Sequence, residues 1–384
     1  MLAGAIAVVM PVALIPTAAA AEPGNQPAPN GGAAVMADRA GRGADMIDAL
    51  AKQRGIGRAA AEKLLRAEDA AVDLADRLTT ELGPKSGGAY LSDGKLVVTV
   101  TDSASAAKVA AAGAKARVVA RGERQLQDIQ RTLEAAPSEV DTTWGVDTAA
   151  NQVVVTLPAS GAKNAAQRSA ARRFGQAVRF EAGQGSISPG VGISSGDALG
   201  GCTVGFTATD NSFNYIITAG HCTTGFPHWT LPNGQDVGPS LTSVYPGSDY
   251  GLIWMNGPAV WPTGQINRRN GTTESIHGWA TAVPGLSLCK SGKTTGLTCG
   301  SVLRTGVTIN SAGVGAVDQM VETNMCMLRG DSGGPLFSNH IAYGLNSHTN
   351  GVQNGTVCAA TPRAYHQPVG EPITAYQIVI YGAP

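Results

Sequence analysis

Hydrophobic and polar positions follow different periods in the two halves of the chain. Residues 57–82 carry apolar side chains at helical spacing and predict an amphipathic helix. The alternating apolar runs on either side of Asp93-Gly94 predict a β-hairpin, because this dipeptide favours the tight turns that hairpins use. A short helix over 104–113, a strand over 116–120 and a charged helix over 122–136 are predicted to follow.

This pattern then recurs along the chain. Residues 142–158 predict a second hairpin, 161–176 a basic helix and 177–182 a strand. The apolar strands 96–101 and 153–157 occupy equivalent places in the two copies. We therefore interpret the first half as two small α/β units of one α+β domain.

From residue 190 onward the pattern is typical of β-structure. Short apolar or alternating runs are bounded by Gly, Asn and Pro, and a helical period returns only over 371–381. Such a pattern predicts an all-β barrel or sandwich. The runs lie at 202–209, 213–220, 249–255, 300–310, 318–324 and 340–347.

Composition separates the same two halves. The 384 residues include 28 basic and 28 acidic side chains, and the zero net charge argues against nucleic acid or an anionic membrane as a partner. From Gly190 onward there are only 7 basic and 9 acidic residues, yet all six Cys and all six His lie after residue 200. We expect two domains, 45–189 and 190–384, with the chemistry in the second.

The N-terminal residues are interpreted as an export signal. Residues 1–21 form an apolar run that ends in small residues, which predicts cleavage after Ala21. The run lacks a basic start, which leaves open an upstream initiation site or an uncleaved anchor. Residues 22–44 predict a flexible lead-in. We expect a secreted, extracellular protein without a membrane segment in its mature form.

Six cysteines in an exported chain predict disulfide bonds, because an oxidising compartment favours them. Many pairings are possible, and the economical one is local. A metal site is disfavoured because no Cys-x-x-Cys or His-x-x-x-His spacing occurs, and no cofactor is expected. The expected pairs are Cys202 with Cys222, Cys289 with Cys299, and Cys326 with Cys358.

Ser332 lies in "GDSGG", which fits the G-x-S-x-G pattern of α/β-hydrolases. That fold requires an acid and then a histidine after the serine. No acid lies between Ser332 and the last histidine, His366, and Glu371 comes after both. The α/β-hydrolase order is therefore excluded.

The opposite order, His then Asp then Ser, is present upstream. His221 follows an apolar run and precedes Cys222, whose disulfide would hold the backbone for general-base work. Asp249 starts a very apolar run, where a carboxylate needs hydrogen-bond donors such as an imidazole. Taken alone, His221 is compatible with a core histidine, and Asp249 is compatible with a strand-end cap. Together with "GDSGGP" they predict a His/Asp/Ser triad.

"TAGHC", "DYG" and "GDSGGP", with "CKSGKTTGLTCG" before the last, resemble the chymotrypsin-like serine proteases of the streptogrisin and α-lytic protease branch. The resemblance covers residues 192–381. "AYLSDGKLVVTVTD" and "WGVDTAANQVVVTLP" resemble the pro-region of that branch, over 45–185. The resemblance implies a double six-stranded β-barrel of chymotrypsin type, preceded by an α+β pro-domain that acts as folding helper and inhibitor.

The resemblance also implies a role for each residue of the motifs. Ser332 attacks the substrate carbonyl, His221 transfers the proton, and Asp249 orients His221. The backbone N–H groups of Gly330 and Ser332 form the oxyanion hole, which glycines permit because the chain can turn tightly there. Asp331 pairs with a cation and supports the loop.

Two positions depart from that pattern. Lys290 stands where the branch usually has the arginine that pairs with Asp331, and lysine lacks the bidentate guanidinium. Arg329 stands where a proline is common. Arg329 is interpreted either as a substrate-pocket residue that favours acidic or polar substrate residues, or as a solvated loop residue. It is separately an alternative cation for Asp331, although its closeness to Asp331 in the sequence disfavours that geometry.

The stretch "GLNSHTNG" resembles the edge along which the family binds substrate as a β-strand. His348 and Thr349 replace glycines and are expected to reshape the subsite that they form with Asn346 and Ser347. Because no carboxylate lies in this stretch or in "TNMCMLR", a trypsin-like pocket for basic residues is disfavoured. An apolar subsite is favoured and an acidic preference stays open. The remaining histidines are interpreted as surface or loop residues: His228, His277, His340 and His366.

We therefore expect a secreted, monomeric serine endopeptidase that is made as a zymogen and is cut near residues 185–194. Its partners are protein or peptide substrates and its own pro-domain. All-β folds with many non-local contacts fold slowly, which gives a folding helper a physical reason. Two alternatives stay open, namely a pro-region retained as a binding module and a protease-fold binding or adhesion protein without turnover.

Overall fold

The computed structural model describes most of the chain from residue 47 to residue 381. The expected signal peptide (1–21), the lead-in (22–44) and the first residues of the second domain lie outside the described residues. Within the described ranges, no helix combines the length and apolar character that crossing a bilayer requires. The described residues are 47, 50–52, 54–136, 138, 140–158, 165–183, 188–189, 201–231, 234–256, 260–269, 271–311, 314–353 and 357–381.

The first α/β unit follows the predicted hairpin and helices. Asp93 and Gly94 both have positive φ, 51° and 70°, and form the two-residue turn between antiparallel strands β1 and β2. Strand β3 is parallel to β2, and helix α1 packs on the sheet. The elements are α1 Arg58–Leu82, a 3₁₀ helix Gly83–Lys85, β1 Ser86–Ser92, β2 Lys95–Val100, α2 Ser103–Ala111 and β3 Lys115–Val118.

The second unit repeats this order, as the sequence pattern predicts. Strands β4 and β5 are antiparallel, and β6 is parallel to β5. Trp144 is buried between the helices and the sheet, and its indole N–H donates to Oε1 of Gln167 at 3.0 Å. The elements are α3 Glu123–Glu134, β4 Thr142–Asp147, β5 Gln152–Pro158, α4 Ala165–Ala171, a 3₁₀ helix Arg172–Ala177 and β6 Val178–Gly183.

The second half contains two larger sheets, and its class is all-β as predicted. The first sheet has six strands in the order β10-β11-β12-β9-β8-β22, so the C-terminal strand returns to it. Its elements, with the one-turn helix α5, are β8 Phe206–Thr209, β9 Asn214–Thr218, α5 Gly220–Thr223, β10 His228–Thr230, β11 Asp236–Val244, β12 Tyr250–Trp254 and β22 Val379–Ile380.

The second sheet contains a path of six strands in the order β16-β19-β20-β21-β18-β17, and β16 also pairs with β17. The short segment β7 Ser188–Pro189 and strand β15 pair with β20. The predicted C-terminal helix follows as α6 Gly370–Tyr376. The remaining strands are β13 Gln265–Asn267, β14 Thr273–Ser275, β15 Gly278–Trp279, β16 Ser287–Gly292, β17 Gly296–Ser311, β18 Gly315–Thr323, β19 Pro335–Ser338, β20 Ile341–Gln353 and β21 Val357–Pro368.

The two halves share a sheet and a hydrophobic core. Strand β4 pairs with β17, with Thr143 opposite Ile309, so the second sheet continues into β4, β5 and β6. Val72 and Leu78 of α1 belong to the same buried cluster as Leu286 of the second half. The α+β half therefore packs directly against the all-β half.

Candidate active site

A one-turn helix holds His221. Strand β9 ends at Thr218, and α5 begins two residues later at Gly220. A Cβ atom at Gly220 would come within 2.2 Å of the carbonyl oxygen of Val244, so only glycine fits this approach. The next residue but one, Cys222, is bonded to Cys202. Close backbone packing and a disulfide therefore fix the position of His221.

Asp249 lies directly before β12 and is fully buried. Its Oδ2 is 2.8 Å from Nδ1 of His221, and its Oδ1 accepts a hydrogen bond of 2.8 Å from the backbone N–H of His221. The hydroxyl of Ser347 also donates to Oδ2. The backbone N–H of Asp249 donates to Oε1 of Gln367 at 2.7 Å. The carboxylate is thus held against the imidazole from several sides.

These contacts decide the charge of Asp249. Burial by itself would raise the pKa of this carboxyl, but the nearby His221 and the hydrogen bonds outweigh it and lower the pKa to about 2. Asp249 is therefore ionised at neutral pH although no water reaches it. A buried anion next to Nδ1 fixes the ring so that Nε2 faces away from Asp249.

Ser332 lies in the turn between β18 and β19, and its carbonyl accepts a hydrogen bond of 2.7 Å from the N–H of Thr203. Gly333 follows with a φ of 80°, and a Cβ atom there would lie 2.0 Å from Oγ1 of Thr218. The serine turn therefore packs against the segment that ends in His221. Among the described residues, neither Oγ of Ser332 nor Nε2 of His221 has a hydrogen-bond partner.

Asp331 is enclosed by hydrogen-bond donors from β16, from the loop that follows β16 and from its own turn. It accepts hydrogen bonds from Nζ of Lys290 at 3.1 Å, from the hydroxyl of Thr295 at 2.6 Å and from the backbone N–H groups of Thr294 and Leu328 at 2.9 and 3.1 Å. Lys290 and Asp331 are both fully buried. Burial would raise the pKa of Asp331, but Lys290 and the donors lower it.

The structure thus pairs Asp331 with Lys290. The side chain of Arg329 is instead exposed, as the solvated-loop interpretation expects. Gly330, between Arg329 and Asp331, has a φ of 96°, and a Cβ atom there would lie 2.5 Å from Cε of Lys293. A glycine is therefore required at this point of the turn.

Strand β20 carries the residues expected to bind substrate, namely Asn346, Ser347, His348 and Thr349, and all four are buried. Their edge pairs with β7, with Pro189 opposite His348 and Ser188 opposite Thr349 in antiparallel register. The end of the first half therefore lies along the expected substrate edge. Ser347 has a further contact that the sequence did not indicate, because its hydroxyl reaches Asp249.

The ring of His348 lies next to the candidate triad. Its centroid is 6.0 Å from the ring of His221 and 6.0 Å from the ring of Tyr245, with which it stacks. Burial lowers the pKa of His348 to about 4, despite the nearby charge of Asp249. His348 is therefore uncharged at neutral pH. No sequence motif indicated Tyr245, which lies four residues before Asp249.

The interpretation of His366 as a surface or loop residue is wrong. His366 is fully buried because it lies in a part of β21, residues 364–367, where consecutive side chains on both faces of the strand are covered. Its Nδ1 is 3.1 Å from Oδ1 of Asn346 and its Nε2 is 2.9 Å from Oγ1 of Thr323. Burial lowers the pKa of His366 to about 3. His228, by contrast, is exposed.

The cysteines form the three expected local pairs, Cys202–Cys222, Cys289–Cys299 and Cys326–Cys358. Within the described part of the chain, the one group of side chains close enough to share a metal ion is Cys202, His221 and Cys222. Its two sulfurs are joined in a disulfide and are not thiolates, so they are poor ligands.

The chain matches two protein-family models in its first half. Residues 59–119 match "Alpha-lytic protease pro N-terminal" and residues 121–173 match "Alpha-lytic protease prodomain". Among curated proteins, it is 36% identical to Serine protease 1 of Streptomyces fradiae, over 91% of this chain and 97% of that protein. It is 35% identical to Glutamyl endopeptidase 2 of Streptomyces griseus, over 49% of this chain and 99% of that protein.

A similar solved structure is the alpha-lytic protease homolog N4. It has a TM-score of 0.43 and 33% identity, and the match covers 49% of this chain and 98% of that chain. Together, the family models and the near full-length relative identify both halves of the molecule. The chain belongs to the streptogrisin and α-lytic protease family of chymotrypsin-like serine proteases, and it is a serine endopeptidase preceded by an α-lytic protease pro-region.

Proposed function

We propose that this endopeptidase cleaves peptide bonds with Ser332 as nucleophile, His221 as general base and acid, and Asp249 as the group that orients His221. The observation that supports this most strongly is the buried pair of His221 and Asp249, joined by two hydrogen bonds of 2.8 Å beside the turn of Ser332. An ionised, fully buried carboxylate stabilises the imidazolium that forms during catalysis.

The proposed reaction has two steps, namely formation of an acyl-enzyme and its hydrolysis. Oγ of Ser332 bonds to the carbonyl carbon of the substrate while its proton moves to Nε2 of His221. The C–N bond then breaks and the same proton passes to the leaving amine, which leaves an acyl-enzyme. Water attacks the acyl group, His221 takes a proton from it and returns one to Ser332, and the acid product leaves.

The backbone N–H groups of Gly330 and Ser332 are the proposed oxyanion donors. The neighbouring N–H groups have other partners, since Asp331 donates to the carbonyl of Leu328 at 3.1 Å and Gly333 to that of Asn346 at 2.7 Å. Asp331 and Lys290 support this turn from below. Losing one oxyanion donor reduces the rate by about 100- to 1,000-fold in serine proteases.

The first half, residues 45–189, acts in this proposal as an inhibitor and folding helper that is removed by cleavage between residues 185 and 194. Its last described residues, Ser188 and Pro189, pair with the edge of β20 that a substrate strand would use. While this segment pairs with β20, a substrate strand cannot bind at the same edge. The three disulfides favour an oxidising, extracellular location for the mature enzyme.

The proposed primary subsite takes apolar residues. The alternative is a subsite that prefers acidic substrate residues, as the name of one relative, Glutamyl endopeptidase 2, suggests. In this chain His348 and His366 are both buried with lowered pKa values, so neither offers a positive charge at neutral pH. Arg329 is the nearest cation to Ser332 along the sequence, and its side chain lies exposed in solvent.

A fluorophosphonate probe tests the proposed nucleophile. The mature enzyme is expected to be labelled at one site and the Ser332→Ala variant not at all. Labelling of both to the same extent would contradict the proposal. N-terminal sequencing of the secreted product tests the precursor role, for which a start between residues 186 and 195 is expected. A start near Glu22 would favour a retained binding module.

A further inference from the structure

A closed loop of hydrogen bonds reaches Asp249 through its backbone. The N–H of Asp249 donates to Oε1 of Gln367 at 2.7 Å, and Nε2 of Gln367 donates to Oε2 of Glu371 at 2.6 Å. The hydroxyl of Ser248 donates to Oε1 of the same carboxylate. Because Ser248 directly precedes Asp249, both oxygens of Glu371 hold the same short segment, one directly and one through Gln367.

The amide of Gln367 has only one orientation that satisfies this loop. A backbone N–H only donates, and an ionised carboxylate only accepts. The oxygen of the amide must therefore face Asp249, and its nitrogen must face Glu371. Asp249 and Gln367 are fully buried, so a polar group left unpaired there would be costly. Glu371 thus fixes the orientation of Gln367, and Gln367 fixes the backbone of Asp249.

Helix α6 provides a fixed base for the loop. Glu371 lies in its first turn, and Ile373 belongs to the same buried cluster as Tyr250 of β12. The hydroxyl groups of Tyr376 and Thr242 are 3.0 Å apart, which ties the end of the helix to β11. Burial raises the pKa of Glu371, and its two hydrogen-bond donors limit this rise because they favour the ionised form.

The backbone position of Asp249 matters because its carboxylate makes two contacts with His221 at once. Its oxygens are 2.8 Å from Nδ1 and 2.8 Å from the backbone nitrogen of His221. A displaced backbone would lengthen or misalign both hydrogen bonds. Misplacing a catalytic group by about 1 Å reduces the rate by up to about 100-fold.

We propose that Gln367 and Glu371 are positioning residues for catalysis, which hold the backbone of Asp249 so that its carboxylate meets His221. Gln367 is fully buried and acts through Asp249, without contact with substrate. Glu371 acts one step further away, by holding the amide of Gln367. This inference rests on the proposed function, in which Asp249 orients His221.

The test exchanges the amide and the carboxylate in mature enzyme produced from the full chain. Gln367→Glu places a second carboxylate at hydrogen-bond distance from Glu371, where like charges repel. Its kcat is expected to fall by about ten- to 100-fold, with KM changed less than about twofold. Glu371→Gln alone should lower kcat less than about threefold, because its amide can accept from Gln367 and donate to the hydroxyl of Ser248.

The double variant Gln367→Glu/Glu371→Gln carries the decisive prediction. The new carboxylate at position 367 can accept both from the N–H of Asp249 and from the new amide at position 371. Every donor then faces an acceptor again, so kcat should return to within about fivefold of the wild type. The proton on Nδ1 of His221 gives a ¹H NMR signal that moves with its hydrogen bond to Asp249. This signal should shift in Gln367→Glu and return in the double variant.

Two further variants control for charge and folding. Gln377→Glu adds the same charge at an exposed position after the same helix and should keep the wild-type kcat. Gln367→Met removes the acceptor without adding a charge, and its kcat should fall about tenfold. Titration with a fluorophosphonate counts the active sites, so misfolded protein does not enter any of these rates.

Unchanged kcat in Gln367→Met, or a loss in Gln367→Glu that the double variant does not restore, would overturn the inference. In both cases the wild type is labelled and active, so the proposed function stands. Absence of both labelling and cleavage in the wild type would refute the proposed function instead.

Discussion

Nζ of Lys290 lies 3.1 Å from Oδ2 of Asp331, and both side chains are fully buried directly beneath the turn of Ser332. This ion pair connects β16 to the loop whose N–H groups are the proposed oxyanion donors. Two buried charges are stable only as a pair, since removing one leaves the other without compensation. The pair therefore couples the stability of the domain to the geometry of the active site.

Replacing Lys290 with methionine should leave Asp331 as an uncompensated buried anion. We expect a loss of about 3 to 5 kcal/mol in the free energy of unfolding, measured by denaturant titration of the Ser332→Ala precursor. The double variant Lys290→Met/Asp331→Asn should recover part of this loss, because no buried charge remains. Equal stability of Lys290→Met and its parent would contradict this account.

Ser347 should act on catalysis through Asp249. Its hydroxyl donates to the carboxylate of Asp249, which is proposed to orient His221. A hydrogen bond to a charged group contributes about 1.5 to 3 kcal/mol, so kcat/KM of Ser347→Ala should fall by about tenfold to 100-fold. The matched control is Ser338→Ala, at a buried serine whose hydroxyl has no hydrogen-bond partner among the described residues and which should retain its rate.

A double-mutant cycle separates this positioning role from general damage. Asp249→Asn alone should reduce kcat by roughly 10,000-fold. If Ser347 acts through the carboxylate, Ser347→Ala should have little further effect in the Asp249→Asn background. Fully additive losses would show that Ser347 acts elsewhere, for example only at the substrate edge.

Local patterns in the sequence were sufficient for much of the fold. The apolar period over 57–82 predicted the helix that the structure has at Arg58–Leu82, and Asp93-Gly94 predicted the turn at those residues. Both features depend on neighbours in the chain. The pairing of β4 with β17 joins residues more than 160 positions apart, and no local pattern specifies it.

In the candidate active site, too, local motifs predicted some features, whereas contacts between distant residues determine the others. Motifs predicted the candidate triad of His221, Asp249 and Ser332, because each residue lies in a short, distinctive stretch. They did not identify Gln367, which binds the N–H of Asp249 from 118 residues away, or the burial of His366. The partner of Asp331 also stayed open between Lys290 and Arg329, since only the antiparallel return of β16 beside β19 brings Lys290 close.

Glu68 is expected to stabilise the contact between the pro-region and the protease. Its carboxylate accepts hydrogen bonds from the backbone N–H of Ser287 at 3.0 Å and from its hydroxyl at 3.1 Å, and it is buried. Glu68→Ala should therefore lower the free energy of unfolding of the Ser332→Ala precursor by about 1.5 to 3 kcal/mol. Differential scanning calorimetry of the full chain measures this as a lower Tm.

Glu62→Ala is the control for this change. Glu62 lies on the same helix, but its partner is Arg66 and the pair is solvent-exposed. Exposed pairs contribute about 0 to 1 kcal/mol, so Glu62→Ala should change Tm much less. A similar effect of both variants would mean that helix propensity, and not the contact with Ser287, is responsible.

His366 should make the domain sensitive to acid. Burial lowers its pKa to about 3 in the folded protein, whereas an unfolded histidine has a pKa of about 6.5. Between these values the unfolded chain binds a proton that the folded chain does not. The free energy of unfolding should therefore fall as pH decreases through this window, by up to about 1.4 kcal/mol per pH unit.

The variant His366→Gln isolates this contribution, because glutamine retains polar atoms toward Asn346 and Thr323 but binds no proton. Denaturant titration of the Ser332→Ala precursor between pH 6 and 4 should give a shallower loss of stability for this variant than for its parent. Ser338→Ala, a buried substitution that removes no titratable group, should keep the parent slope. If His366→Gln also kept that slope, the buried imidazole would have to gain its proton without unfolding, which its hydrogen bonds to Asn346 and Thr323 oppose.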